Sequence, residues 1–265
     1  MLAGELSGAG RPVVLLHGLT ATRRYVVMGS QALQRSGHRV LAYDARGHGR
    51  SAAAHDGDYG YPRLAADIGA VLDAAGIERA VLVGASMGAH SAVRFALEQP
   101  ERVAGLVLIT PAFDPRRASS AQELSGWDAL AHGLRTGGVE GFVGAYPLGE
   151  VALELRATIE MALRQRLSAH EHPEAVADAL EAVPRSRPFA SVAELAAIDV
   201  PALVVASRDA ADPSHPLAIG EAWAQWIPRA GLIVEEASTP PRSPIAWQGG
   251  QLSRLIAQVS ADARM

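Results

Sequence analysis

The sequence predicts an α/β protein built on a mostly parallel, doubly wound sheet. Three observations carry this reading. Short apolar runs recur along the 265 residues. They lack the polar alternation of a half-exposed sheet, and segments with helical spacing lie between them. Uninterrupted apolar strands are what a parallel sheet covered on both faces requires. Strand–helix alternation then points to a doubly wound order.

The runs are Val13-Val14-Leu15-Leu16, Arg39-Val40-Leu41-Ala42-Tyr43, Ala80-Val81-Leu82-Val83, Gly105-Leu106-Val107-Leu108-Ile109, Ala202-Leu203-Val204-Val205 and Leu232-Ile233-Val234. Among the helical segments, Leu64 to Ala75 places Ile68, Val71 and Leu72 on one side, and Ala89 to Glu98 is stopped by Pro100. The alternation breaks once. No strand is predicted between Pro111 and Ala202, and residues 115–190 read as helices, with Val151 to Ser168 and Pro173 to Val183 the clearest. This stretch is expected to be a helical cap inserted into a core made of residues 1–114 and 191–265. Its edges, Asp114-Pro115-Arg116-Arg117 and Pro184-Arg185-Ser186-Arg187-Pro188, have loop composition. Trp127, Leu130, Leu134, Phe142 and Tyr146 are expected to pack over the sheet. Trp223, Trp226 and Trp247 are read as packing residues of the last helices.

Composition narrows the function classes. The chain is 49% hydrophobic and 20% charged, as in ordinary globular proteins. A formal net charge of −4 gives no reason to expect nucleic acid or an anionic membrane as partner. The absence of cysteine excludes disulfides, thiolate chemistry and cysteine metal sites. Residues 1–10 lack the pattern of a secretory signal, and no apolar stretch approaches the ~20 residues of a membrane helix. A cytoplasmic protein with a small-molecule substrate and no cofactor or metal is the resulting expectation.

Gly84-Ala85-Ser86-Met87-Gly88 has the G-x-S-x-G spacing and falls between a predicted strand and a predicted helix. Such a turn lifts the serine hydroxyl above the sheet edge, and small residues on either side let strand and helix approach. The helix that follows aims free N–H groups at the same spot. His17-Gly18-Leu19-Thr20 ends the first run, and Asp44-Ala45-Arg46-Gly47-His48-Gly49-Arg50-Ser51 follows the second. Glu98-Gln99-Pro100-Glu101-Arg102-Val103 and Ile198-Asp199-Val200-Pro201 lead into later runs.

In this order the motifs resemble the α/β-hydrolase fold family, over nearly the whole chain. The resemblance implies Ser86 as nucleophile and the N–H groups of Leu19 and Met87 as the oxyanion hole. It implies a bracing role without chemistry for the Asp44–Ser51 loop, with His17 and His48 structural. It places the catalytic acid after the penultimate strand. There, Asp212-Pro213-Ser214-His215-Pro216 matches the family's D-P-x-x-P pattern and favours Asp212, while strand spacing fits Asp209 about as well.

The family's histidine follows the last strand. The corresponding segment, Glu235 to Trp247, contains none, and the last histidine of the chain is His215. A serine hydroxyl needs a partner to take its proton, so three readings stand open. His215 acts as the base from the acid loop. His90, one helical turn after Ser86, matters instead, although a buried structural role suits it better. Or no base exists, and the protein is a degenerate member that binds a small molecule or partner without turnover. The enzymatic reading is a hydrolase acting on a small ester, amide or other acyl substrate. His38 and His55 are read as exposed loop residues, and His170-Glu171-His172 as a surface cluster at a helix end.

Overall fold

The computed structural model describes residues 1–117, 119–210, 212–240 and 242–264. Its sheet has seven strands: β1 (Gly4–Ser7), β2 (Arg11–Leu16), β3 (His38–Tyr43), β4 (Ala80–Ala85), β5 (Val103–Ile109), β6 (Ala202–Ala206) and β7 (Ala230–Val234). They lie in the order β1-β3-β2-β4-β5-β6-β7, and every pairing is parallel except β1 with β3. Six of these strands are the predicted apolar runs. β1 escaped the reading because it is antiparallel at the sheet edge and its four residues, Gly-Glu-Leu-Ser, are all exposed.

Helices cover both faces. On one side lie α2 (Tyr61–Ala74), α3 (Met87–Glu98) and α7 (Leu217–Trp226). On the other lie α1 (Ala32–Arg35) and α8 (Gly249–Asp262). The apolar runs explain the division. In β2, Val14 and Leu16 join the cluster with Ile68, Phe95 and Trp223, while Val13 and Leu15 join the cluster with Leu33, Leu252 and Ile256. Successive side chains of a strand point to opposite faces, so an unbroken apolar run fills two cores at once. Each fully buried aliphatic contributes roughly 1.5–3 kcal/mol of transfer free energy.

Between β5 and β6 the chain forms α4 (Ala121–Ala145), α5 (Leu153–Leu167) and α6 (Pro173–Ala182). Ser120 starts α4 with a reciprocal capping box to Glu123, and Gly138, at φ 58°, kinks it. Leu130, Leu134 and Phe142 do bury, but against Leu19, Met87, Tyr61 and Leu64. These helices therefore sit over the loops at the carboxyl ends of the strands. Trp223 is fully buried among aromatic neighbours, as a packing residue.

One histidine expectation needs correction here. His38 is the first residue of β3 and is buried, with Nδ1 near the Leu33 carbonyl and the Ser36 hydroxyl. Strand pairing places it inside, which an isolated polar residue in a sequence does not announce. His55 is exposed as expected. No described helix is long and apolar enough to cross a membrane.

The loop after β3 fixes the sheet's carboxyl edge. Asp44 is fully buried, and its carboxylate accepts from the Arg23 N–H at 2.9 Å, the Arg50 N–H at 3.1 Å and the Arg23 guanidinium. Its own carbonyl accepts from the Ser51 hydroxyl at 2.6 Å. Replacing Asp44 by Ala would leave two N–H groups unpaired and a partly buried guanidinium with only the 4.0 Å contact to Glu5. The Arg23 side chain keeps 23% exposure, which softens the loss. Thermal unfolding of Asp44→Ala should show a loss of about 2–4 kcal/mol, a fall in Tm of roughly 5–15 °C. A fall under about 2 °C would contradict the bracing role.

Candidate active site

The turn between β4 and α3 is forced by backbone contact. A Cβ on Gly84 would lie 2.2 Å from the Gly88 carbonyl oxygen, and a Cβ on Gly88 would lie 2.2 Å from the Leu16 carbonyl oxygen. Strand, turn and helix thus touch main chain to main chain, which only glycine permits. Ser86 between them adopts φ 50°, ψ −112°, a strained conformation for a residue with a Cβ. Its N–H donates to the Ile109 carbonyl, and its carbonyl accepts from Ala89 and His90. The backbone is held, and the side chain stands free of the sheet.

The N–H groups of Leu19 and Met87 donate no hydrogen bond among the described residues. Gly18 packs 3.5–3.6 Å, as measured from its ideal Cβ position, from the Ala85 carbonyl and the Ser86 side chain. The His17–Thr20 loop therefore runs directly beside the serine. Met87 is the first residue of α3, so its N–H belongs to the positive end of that helix.

Three histidines buttress this loop. Nε2 of His17 accepts from the Ala45 N–H at 2.8 Å. Nε2–H of His48 donates to the Leu19 carbonyl at 2.5 Å. His170 accepts from the Gly49 N–H at Nδ1 (2.8 Å) and donates from Nε2 to the Thr20 carbonyl at 3.3 Å. The rings follow one another in tilted and edge-to-face contact, with centroids 5.2 and 5.6 Å apart. Burial pushes all three below the ordinary imidazole range, His170 to about 4, with neighbouring histidine charge adding to the shift of His17 and His170. The one-donor, one-acceptor pattern of His17 and His170 is that of a neutral imidazole, whereas both ring nitrogens of His48 meet carbonyl oxygens, with Nδ1 2.9 Å from that of Arg46. His17 and His48 are structural, as expected. His170 corrects the surface-cluster reading, because it turns inward from the α5–α6 connection and ties that connection to two core loops. No signal in the sequence marks it.

His215 carries the decisive geometry. Its Nε2 lies 2.9 Å from Ser86 Oγ, and its Nδ1 lies 2.9 Å from both carboxylate oxygens of Asp212. With the carboxylate on Nδ1, the proton sits there and Nε2 offers its lone pair to the serine hydroxyl. Asp209 is elsewhere: its carboxylate accepts from the Leu217 N–H at 2.7 Å, at the start of α7. His90 is buried between the Tyr61 hydroxyl (2.7 Å) and the Ala112 N–H (3.0 Å). Burial, and secondarily the charge of His215, push it down to about 3, so it stays neutral.

The acid loop is clamped where it leaves β6. The buried Glu235 accepts from the Arg208 N–H at 2.7 Å, and Arg208 Nε donates to the Glu235 carbonyl at 3.0 Å. The Asp212 N–H then donates to the Arg208 carbonyl, and the His215 N–H to the Asp212 carbonyl. Acid and base thus sit on one hydrogen-bonded turn. The segment after β7, where the family resemblance places a histidine, instead supplies the clamp and buries Ile245 and Ala246 against the sheet.

The comparisons with known proteins bear on the family and the fold. Residues 11–142 match the model of a family described as alpha/beta hydrolase fold. A putative carbamate hydrolase of Variovorax paradoxus is 34% identical over 76% of this chain and 74% of its own length. The chain belongs to the α/β-hydrolase family. A 2-hydroxy-6-oxononadienedioate/2-hydroxy-6-oxononatrienedioate hydrolase of Paraburkholderia phymatum is 33% identical over 86% of this chain and 80% of its own. A solved thermophilic esterase from Thermogutta terrifontis superposes with a TM-score of 0.76 at 27% identity, covering 97% of this chain and 92% of the esterase. The protein is a hydrolase of this family acting on small substrates.

Titration of His215 tests the dyad directly. Burial alone would lower its pKa, but the charge and hydrogen bond of Asp212 outweigh it and hold the ring above its ordinary 6.5. NMR of the imidazole should show a pKa above 6.5 that falls below 6.5 in Asp212→Asn, where burial acts unopposed. A pKa unmoved by that substitution would contradict the pairing.

Proposed function

We propose that this protein is a cytoplasmic serine hydrolase of small ester, amide or related acyl substrates, in which one loop supplies both acid and base. The observation that carries it is the 2.9 Å contact of His215 Nε2 with Ser86 Oγ, with Asp212 at 2.9 Å behind the ring. A binding role without turnover was suggested by the empty histidine position after the last strand. That contact takes away the reason for it.

The steps follow from the geometry. Ser86 Oγ attacks the acyl carbonyl carbon as its proton passes to His215 Nε2. The carbonyl oxygen becomes an oxyanion and receives the N–H groups of Leu19 and Met87, at the positive end of α3. The C–O or C–N bond to the leaving group breaks, and His215 returns the proton to that group. Water then attacks the acyl-enzyme, giving its proton to His215, which hands it back to Ser86 as the acid departs. Asp212 stabilises the imidazolium formed in each half and keeps the proton on Nδ1. The helices of residues 115–190 act as a cap over this site, screening it from solvent and shaping the pocket.

Steady-state hydrolysis of short-chain 4-nitrophenyl esters tests the reading. Ser86→Ala and His215→Ala should each lower kcat by about 10⁴-fold or more, and Asp212→Asn by about 10³–10⁴-fold. Only neutral His215 accepts a proton, and its pKa is raised. The kcat/KM profile should therefore rise with pH through an apparent pKa above 6.5. Wild-type turnover that survives His215→Ala would sink the proposed base.

A further inference from the structure

Two of the three arginines of α5, Arg164 and Arg166, have opposite fates. Arg164 faces outward and is paired twice, with Glu140 at 2.8 Å and Glu160 at 2.8 Å. Arg166 belongs to the inward face. It stands three residues after Leu163 and one before Leu167, and both leucines are buried in the cluster that holds Leu19 and Met87. Arg166 is partly buried, and its Nε is shut off from solvent with no hydrogen-bond partner. Among the described residues it makes no ion pair and no side-chain hydrogen bond. The other inward arginines are matched: Arg23 with Asp44, Arg46 with Asp67.

Nε of this guanidinium loses hydration without compensation, which is costly unless a partner arrives. Burial accordingly lowers its pKa, while Tyr146, Asp212 and Tyr25 pull the other way. Asp212 directs both oxygens to His215. A planar fork with no ion-pair partner among the described residues, on the helix face that packs with Leu19 and Met87, matches one planar monoanion.

We propose that Arg166 receives a carboxylate carried by the substrate, so that the site selects acyl compounds bearing a second, anionic carboxyl group. This rests on the hydrolase reading for its reaction, but not for its binding step. Arg166 is thus a specificity residue of the cap face. It touches the substrate away from the bond that breaks.

The test compares matched esters. Mono-4-nitrophenyl glutarate against 4-nitrophenyl pentanoate places the carboxylate on the acyl side, and 4-acetoxybenzoate against phenyl acetate places it on the leaving group. Wild type should prefer at least one anionic ester by about tenfold or more in kcat/KM, and Arg166→Gln should lose that preference by about 10–100-fold. No preference in wild type, or a preference that survives the substitution, overturns the proposal. A loss shared equally by neutral and anionic esters also overturns it, because it would mark Arg166 as acting through Asp212. A readout independent of turnover is calorimetric binding of both anionic esters to Ser86→Ala. Affinity for at least one should fall tenfold or more in the double variant with Arg166→Gln, and equal or undetectable binding in both proteins overturns the proposal. If the esters bind this way yet the wild type hydrolyses none, the hydrolase reading fails and the carboxylate site stands. Removing a partly buried charge that has no ion-pair partner should leave Tm unchanged or raised, and a fall above about 5 °C would identify a structural arginine instead. Arg166→Met supplies the same comparisons if the glutamine variant does not fold.

Discussion

An imidazole can activate a serine only if one ring nitrogen meets the hydroxyl while the other is held by an acceptor, and here both conditions fall on a single turn of chain. His215 and Asp212 are three residues apart, so their mutual geometry is local and nearly independent of the rest of the fold. The reach from that turn to Ser86 is not local. It depends on β6 standing next to β5, β5 next to β4, and the loop after β6 bending back across the sheet edge. The clamp of Arg208 by Glu235 sets where the loop starts, and Asp209 bonded to Leu217 sets where it enters α7. The two ends fix the middle.

The opposite wall of the site has its own support. The loop bearing Leu19 gains no regular hydrogen-bond ladder, so its carbonyls are held by side chains: His48 at Leu19 and His170 at Thr20. His170 comes from between α5 and α6, and the Glu171 N–H also donates to the Gly49 carbonyl. The helical segment and the oxyanion loop are thereby mechanically joined. A shift of those helices would be felt at Leu19, which makes the packing of α5 relevant to chemistry that it never touches.

Much of this was legible in the residues. Apolar runs located six strands because burial on both faces leaves a strong, local compositional mark. β1 left no such mark, since an exposed antiparallel edge strand needs no apolar face. Gly84, Ser86 and Gly88 announced their turn because backbone contact admits glycine alone. The choice between Asp209 and Asp212 could not be made from spacing, as both lie in one loop and only the path of the chain separates a helix start from an imidazole. His215 stood out because no histidine follows it. His170 and Arg166 were silent for different reasons. The partners of His170 lie about 120 to 150 positions away in the sequence. Arg166 looks like any charged residue on an amphipathic helix until its face is known. The helical spacing of Leu163 and Leu167 held that information, but an arginine between leucines reads first as a snorkelling side chain.

The central claim is that His215, placed by the acid loop, activates Ser86. Its most direct measure is the rate at which a fluorophosphonate probe labels Ser86, read by intact-mass spectrometry in wild type, in His215→Ala, and in His215→Ala with added imidazole. The account requires fast labelling of wild type, labelling slowed by at least about 10²-fold without the ring, and partial recovery with free imidazole. Labelling of His215→Ala at the wild-type rate, in folded protein, would contradict it.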